Sequence, residues 1–462
     1  MTPPRHVALF DIGKTNAKLV LVDRATLAEV ALRRRPNRVL PGPPWPHYDT
    51  AALWSFLLDG LAECARGPGV DAIVVATHGA AAALIGEDGA LAAPVLDYEH
   101  PGPEALAAAY DRVRPAFAET GSPRLPQGQN LGAQLHWQIA TTPGLRERVR
   151  RVVTWPQYWG FRLTGVAACD WCSLGAHSDL WAPAEGRFSA LVDRLGLAGR
   201  IAPPRPPGEV LGPVLPEIAA RTGLRPGTPV LTGIHDSNAS LLPHLLARPA
   251  PFSVVSTGTW VIAMAVGGAP VALDPARDTL MNVNAFGQPV PSARFMGGRV
   301  HEVAMAGQAA EPSSDGTAAV LDGGVMLLPT LVPGSGPYMG RRGGWTPREP
   351  APGTGERAAA VAFHLALVTA RCLALIGHAG AIVVEGPFAR NAAFLDMLGA
   401  ATGAPVVASE GGTGTSQGAA LLAAPGGPLP AALPPRPPLP AAATARFAAY
   451  ARAWTTLAEA AR

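Results

Sequence analysis

The pattern that most constrains the fold of this chain occurs twice. Val7 to Phe10 is an apolar run, a polar turn follows from Asp11 to Asn16, and a second apolar run, Leu19 to Val22, ends at Asp23. The scheme returns at Phe252-Ser-Val-Val-Ser-Thr-Gly-Thr-Trp-Val-Ile-Ala-Met264. Each reads as a β-hairpin around a turn of glycine, hydroxyl and amide groups. One copy in each half of a 462-residue chain predicts a duplicated fold of two domains meeting near residue 245.

Short apolar strands alternate with Ala/Leu-rich helical stretches elsewhere, which predicts an α/β protein. Helices are expected over 48–66, 103–118, 131–151, 217–222, 239–247, 357–376 and 391–402. The buried strand Ala72 to Ala76 breaks into Thr77-His78-Gly79, and 82–89 suggests another hairpin. Further strands are expected over 229–235, 381–385 and 406–407. A glycine-rich turn, Gly411 to Gly418, then precedes a Pro/Ala-rich connector and a last helix.

The first polar turn carries an unusual concentration of chemistry. Of 37 Lys+Arg positions only Lys14 and Lys18 are lysine, and both lie in or beside this turn. Gly13 lets backbone N–H groups approach a ligand, so the turn suits an anion nest. A carboxylate, Asp11, next to such a nest makes sense with a divalent metal between the two.

Bulk properties narrow the function classes. A net charge of +3 with scattered arginines does not favour nucleic acid, and the Arg33 to Arg35 run reads as a solvated strand end. No uninterrupted apolar run approaches the roughly 20 residues of a membrane span, and the first strand follows too closely on Met1 for a signal peptide. A cytoplasmic enzyme is expected, without membrane partner. Cys169 and Cys172 form a lone C-x-x-C with Asp170-Trp171 reading as a loop, which speaks against a metal or redox site.

In order and spacing, five segments resemble the FGGY carbohydrate kinases of the actin-like ATPase superfamily. Asp11-Ile-Gly-Lys-Thr-Asn-Ala-Lys18 resembles that family's first phosphate loop, and Ser256-Thr-Gly-Thr-Trp260 its second. Gly233-Ile-His-Asp-Ser-Asn-Ala239 is similar to the segment with the catalytic aspartate. Glu385-Gly-Pro-Phe-Ala-Arg-Asn391 resembles the adenosine turn, and Gly414 to Gly418 the glycine-rich turn after it. Asn282-Val-Asn284 and Arg294-Phe-Met-Gly-Gly298 are similar to the rhamnulokinase and fuculokinase branch. There are departures: Pro387 and Phe388 replace usual glycines, and Gln157 stands where many members have aspartate.

The resemblance implies two ribonuclease H-like domains with an interdomain cleft. Residues 1–245 would bind the sugar and carry the first phosphate loop and the base; residues 246–462 would bind nucleotide. It implies ATP-dependent phosphorylation of a small ketose, deoxy-ketose or polyol, with Mg²⁺ as cofactor and Asp236 as general base. Gly13, Lys14, Thr15, Asn16 and Lys18, with Thr257, Gly258 and Thr259, would hold phosphates. Gly386, Pro387, Phe388, Asn391 and Gly414 would hold the adenosine, and Asp11 and Asp236 the metal. His78, Gly79, Asp97, Tyr98, Glu99, Trp155, His235 and Asp236 are the sugar-side candidates. Asp236 also reads as a helix N-cap. The rival readings are a phosphohydrolase on the same fold and a sensor without catalysis; a homodimer is compatible with either.

Overall fold

The computed structural model describes residues 4–409, 414–423, 429 and 431–460. It is an α/β protein built on two mixed sheets, one in each of two compact units.

In the first unit, strands β1 (His6–Ile12) and β2 (Asn16–Asp23) form the expected antiparallel hairpin. Strand β3 (Ala28–Pro36) extends it on one side. On the other side β1 runs parallel to the strand Ala72–Thr77, which in turn pairs with Pro229–Leu231 and Ile234–His235. Alternate side chains go to opposite faces of a strand, and both faces are buried here. Phe10 and Ile12 join the core cluster that includes Leu53, Leu57 and Leu61 of helix α1 (Thr50–Arg66). Val7 and Leu9 join a second cluster with Ala239, Leu242, Ala419 and Leu421. A strand buried on both faces must be a near-continuous apolar run, as this one is.

The second unit repeats the scheme. Phe252–Thr257 and Val261–Val266 form the hairpin, Pro289–Phe295 extends it, and Ala381–Glu385 runs parallel to its first strand, followed by Val406–Ser409. Its core is filled by the helix Gly355–Leu375, the one described helix long and apolar enough to cross a membrane, and 78% of its apolar window is buried.

Several elements differ from the sequence reading. Ala82–Ile85 turns back in a tight hairpin, the Gly86 and Ala92 amides donating to the Ala90 and Leu84 carbonyls, but its partner strand is Arg151–Thr154. The helix expected over 131–151 therefore ends at Thr141, resumes for Leu145–Arg148, and gives way to that strand. Pro143-Gly144 supplies the break, Gly144 adopting φ +68°. Pro115 likewise divides 103–118 into short pieces. Asp170-Trp171 is no loop: Asp170 caps a short helix, Trp171–Leu174, by accepting from the Ser173 amide. Both neighbouring thiols are buried and pushed up, Cys169 to about 12, so neither supplies a thiolate.

Residues Gly411 to Thr413 of the glycine-rich turn lie outside the described residues. Gly414 begins a helix, Gly414–Leu422, instead of sitting in a turn. This helix packs on Asp236–Ala247, and a Cβ on Gly418 would lie 1.7 Å from the Ala239 carbonyl oxygen, so only glycine allows that approach. The contacts divide the chain between Ala247 and Arg248, but Met281–Pro289 and Thr413–Pro430 return to the first unit.

Candidate active site

In the first unit the candidate residues gather at the carboxyl ends of the parallel strands. Ile12 and His235 both lie opposite Thr77 in register, which brings Asp11, His78, His235 and Asp236 to one edge of the sheet. The turn Gly13 to Thr15 is held by Asn37, whose side chain donates to the Gly13 carbonyl (2.8 Å) and whose amide donates to that of Thr15 (2.8 Å). Thr15 and Asn16 are exposed at its tip.

Asp11 and Lys18 face one another across the hairpin and form an ion pair of 3.4 Å. Burial raises the Asp11 carboxyl to about 6; Lys18 opposes that rise and Asp236 adds to it. Asp236 is the first residue of its helix and accepts from the Ser237 amide at 2.6 Å. It therefore meets the positive end of the helix dipole, as the first helical residue and not as the N-cap that the sequence suggested. His235 Nε2 lies 3.3 Å from Asp236 Oδ1, and its Nδ1 faces the Asn238 amide nitrogen at 3.1 Å. Gln157 donates to the Thr232 carbonyl at 2.9 Å, bracing the strand that leads to His235. Its place is structural.

Burial lowers the His78 pKa to about 4, so the ring is neutral near pH 7. Its Nδ1 accepts from the Ala80 amide at 3.3 Å, which leaves the proton on Nε2. Gly79 packs against His235 and Ala176, where a Cβ would lie 2.7 Å from that of Ala176. His78 sits between the rings of Tyr48 (5.6 Å) and Tyr98 (5.3 Å). Tyr48 was not anticipated from the sequence, where it reads only as the start of a helix. Trp155 stacks on Tyr48 at 5.5 Å but is 0% exposed, so it offers no open face to a sugar and belongs to the core. Among the described residues, buried Tyr48 Oη, His78 Nε2 and Asn238 Oδ1 have no hydrogen-bond partner. Such atoms are costly to leave unpaired and call for a polar partner, water or ligand.

Lys14 does not lie with Asp11 and Lys18. Its ammonium pairs with Asp97 and, at 3.1 Å, with Glu99. Asp97 is held in place by its own amide, which donates to the Pro46 carbonyl at 2.9 Å.

The second unit places its candidates at the equivalent strand ends. Thr257 donates to the Glu385 carbonyl and accepts from the Phe388 amide at 3.1 Å, joining the second polar turn to the Gly386-Pro387 turn. Gly386 has φ +82°, and a Cβ there would lie 2.0 Å from the Thr257 carbonyl oxygen. Gly298 is as constrained: a Cβ would lie 2.5 Å from the Gly258 carbonyl oxygen. Asn391 caps the helix Ala392–Thr402 by accepting from the Phe394 amide. Gly258, Thr259, Pro387, Phe388 and Asn391 line one pocket of about 680 Å³, wide enough for a nucleotide. Arg299, Arg390 and His301 also line it, and none of the three was singled out from sequence. Gly414 belongs to the first unit and is no part of this pocket.

Residues 7–243 match the N-terminal domain of the FGGY family of carbohydrate kinases, and residues 249–431 match the FGGY carbohydrate kinase C-terminal domain. An L-fuculokinase of Salmonella typhi is 26% identical over 274 residues, 57% of each chain, so the match spans little more than half the length of that curated relative. The structure of a carbohydrate kinase from Novosphingobium aromaticivorans superposes with a TM-score of 0.90, at 38% identity over 99% of both chains. A glycerol kinase from Plasmodium falciparum with ADP shares the fold, with a TM-score of 0.73 at 12% identity over 90% of this chain and 88% of that one.

Proposed function

The chain belongs to the FGGY family of carbohydrate kinases, and from that premise we propose that it transfers the γ-phosphate of ATP to a hydroxyl of a small ketose, deoxy-ketose or polyol. The observation that carries this reading is the convergence of Asp11, His78, His235 and Asp236 at one strand edge, with unpaired buried polar atoms beside them. A polyol offers hydroxyls that donate and accept, which is what Tyr48 Oη, His78 Nε2 and Asn238 Oδ1 lack.

Phosphoryl transfer asks a protein for positioning and charge neutralisation. Asp236 takes the proton of the acceptor hydroxyl as that oxygen bonds to the γ-phosphorus; the bond to the bridging oxygen breaks and ADP leaves. His235, 3.3 Å away, keeps the carboxylate in one orientation. Thr257, Gly258 and Thr259 hold phosphate oxygens in the second unit, and the pocket beside them takes the base and ribose. Thr15, Asn16 and Lys18 do the same at the first turn.

Asp11 suits Mg²⁺. It is a buried carboxylate whose pKa is raised by burial and by Asp236, and one cation at 3.4 Å only partly offsets this. Asp11 and Asp236 would hold the ion, through water in keeping with the chemistry of Mg²⁺. When bound it neutralises phosphate charge.

The test is ADP release from Mg·ATP across a panel of ketoses, deoxy-ketoses and polyols. Asp236→Ala is expected to lower sugar-dependent turnover by about 10²–10⁴-fold with little change in ATP affinity. Equal ADP release with and without sugar would favour a phosphohydrolase, and sugar binding without ATP binding would favour a sensor.

A further inference from the structure

We propose that Lys14, though it stands in the first phosphate turn, is a positioning residue for the sugar and not a phosphate ligand; this rests on the sugar-kinase reading above. Its ammonium is held by Asp97 and Glu99, and it lies over the rings of Tyr98 (4.9 Å) and Tyr48 (5.7 Å). Its side chain is 19% exposed against 40% for Lys18. To reach a phosphate it would have to leave both carboxylates and both rings. Asp97, whose side chain is 10% exposed, would then keep a poorly solvated charge without its partner, and breaking such a pair is costly.

The pairing also fixes how Asp97 meets a ligand. Its Oδ1 receives both Lys14 and the Glu99 amide (3.2 Å), which orients Oδ2 to accept from a sugar hydroxyl. Lys14 thus ties the turn after β1 to the loop that presents Asp97, Tyr98 and Glu99. It also sets the substrate class. One cation faces two carboxylates here, so the region remains anionic and favours uncharged polyols over sugar acids.

Because the chain has only two lysines, amine chemistry can test this directly. The intact protein would be acetylated with an N-hydroxysuccinimide acetate and each lysine read by fragmentation mass spectrometry. Lys14 should react more slowly than Lys18. Asp97→Asn with Glu99→Gln, and the milder Glu99→Gln alone, should speed Lys14 several-fold and leave Lys18 unchanged. Mg·ATP should protect Lys18 and not Lys14. Protection of Lys14 by Mg·ATP, or no acceleration in the variants, would overturn the proposal.

Kinetics supply a second reading. Lys14→Met should raise the KM for sugar about tenfold, equivalent to about 1.4 kcal/mol, with kcat and the KM for ATP nearly unchanged. Lys14→Arg should recover part of the loss. The opposite split, a raised KM for ATP with sugar KM unaltered, would assign Lys14 to phosphate. If the wild type phosphorylates no sugar, the kinase reading fails, while acetylation still decides where Lys14 is engaged.

Discussion

At the residue scale, Asp11 is held where it is least comfortable. Its folded pKa of about 6 lies above the ordinary 3.8, so the folded state favours the protonated form. The sign follows from linkage: its favourable contribution is complete below pH 3.8 and is lost as pH rises through 6. Asp11→Asn should therefore melt a few degrees higher than wild type at pH 7.5 without ligand, the gain shrinking as pH falls from 6 toward 4. The same variant should lose any thermal shift produced by Mg²⁺. A lower melting temperature at pH 7.5 would mean that the Lys18 ion pair outweighs burial. His78 runs the other way on acidification. Its depressed pKa of about 4 gives stability that is present above 6.5 and lost as pH falls through 4.

Much of this scale was legible in the sequence. Asp11 and Lys18 stood out by residue type and local spacing, while Asp236 was singled out as base through the family resemblance; the fold brings Asp11 and Asp236 to one sheet edge. The pairing of Lys14 was not legible, because neighbours in sequence do not reveal which way a long side chain turns; Asp97 lies 83 positions away. Tyr48 and Trp155 were hard for the same reason. Both are aromatic beside a helix start, and both are buried in the same core cluster.

At the element scale, short continuous apolar runs were dependable and glycines were ambiguous. Both hairpins and the strand 381–385 followed from apolar runs bounded by polar turns. The run 82–85 was also a true strand, but its partner lay some seventy residues on, and partner choice is not a local property. Gly414 to Gly418 read as a turn because glycine is a poor helix former. Here it serves close packing of two helices. Gly418→Ala should accordingly cost stability, by about 1–3 kcal/mol, and lower activity, since Ala239 lies in the first turn after Asp236. Chemical denaturation and turnover measured together would check this; an unaffected variant would show that the helices can separate freely. Gly298→Ala should instead act on the second polar turn, raising the KM for ATP more than the KM for sugar.

At the scale of the molecule, the duplicated hairpin was visible from sequence because each copy repeats one hydrophobic pattern; the third antiparallel strands, Ala28–Pro36 and Pro289–Phe295, were not. What the pattern could not reveal is the threading. The first unit is not completed by residues 1–247; it takes back 281–289 and the helix Gly414–Leu422. Ala419, Ala420 and Leu421 pack in one cluster with Val7, Leu9, Val20 and Val22 of the first sheet. A fragment of residues 1–247 is therefore expected to bind a hydrophobic dye and aggregate, and a covalently appended 414–423 segment should reduce both. A monomeric, cooperatively unfolding fragment would count against it.

That threading also has a consequence in time. A ribosome adds about 5–20 residues per second, so the helix that finishes the first sheet emerges roughly ten to thirty seconds after residue 247 has been made. For that interval the nascent first unit carries an apolar seam that no segment yet synthesised can close, and the cell must shelter it until that helix has been made.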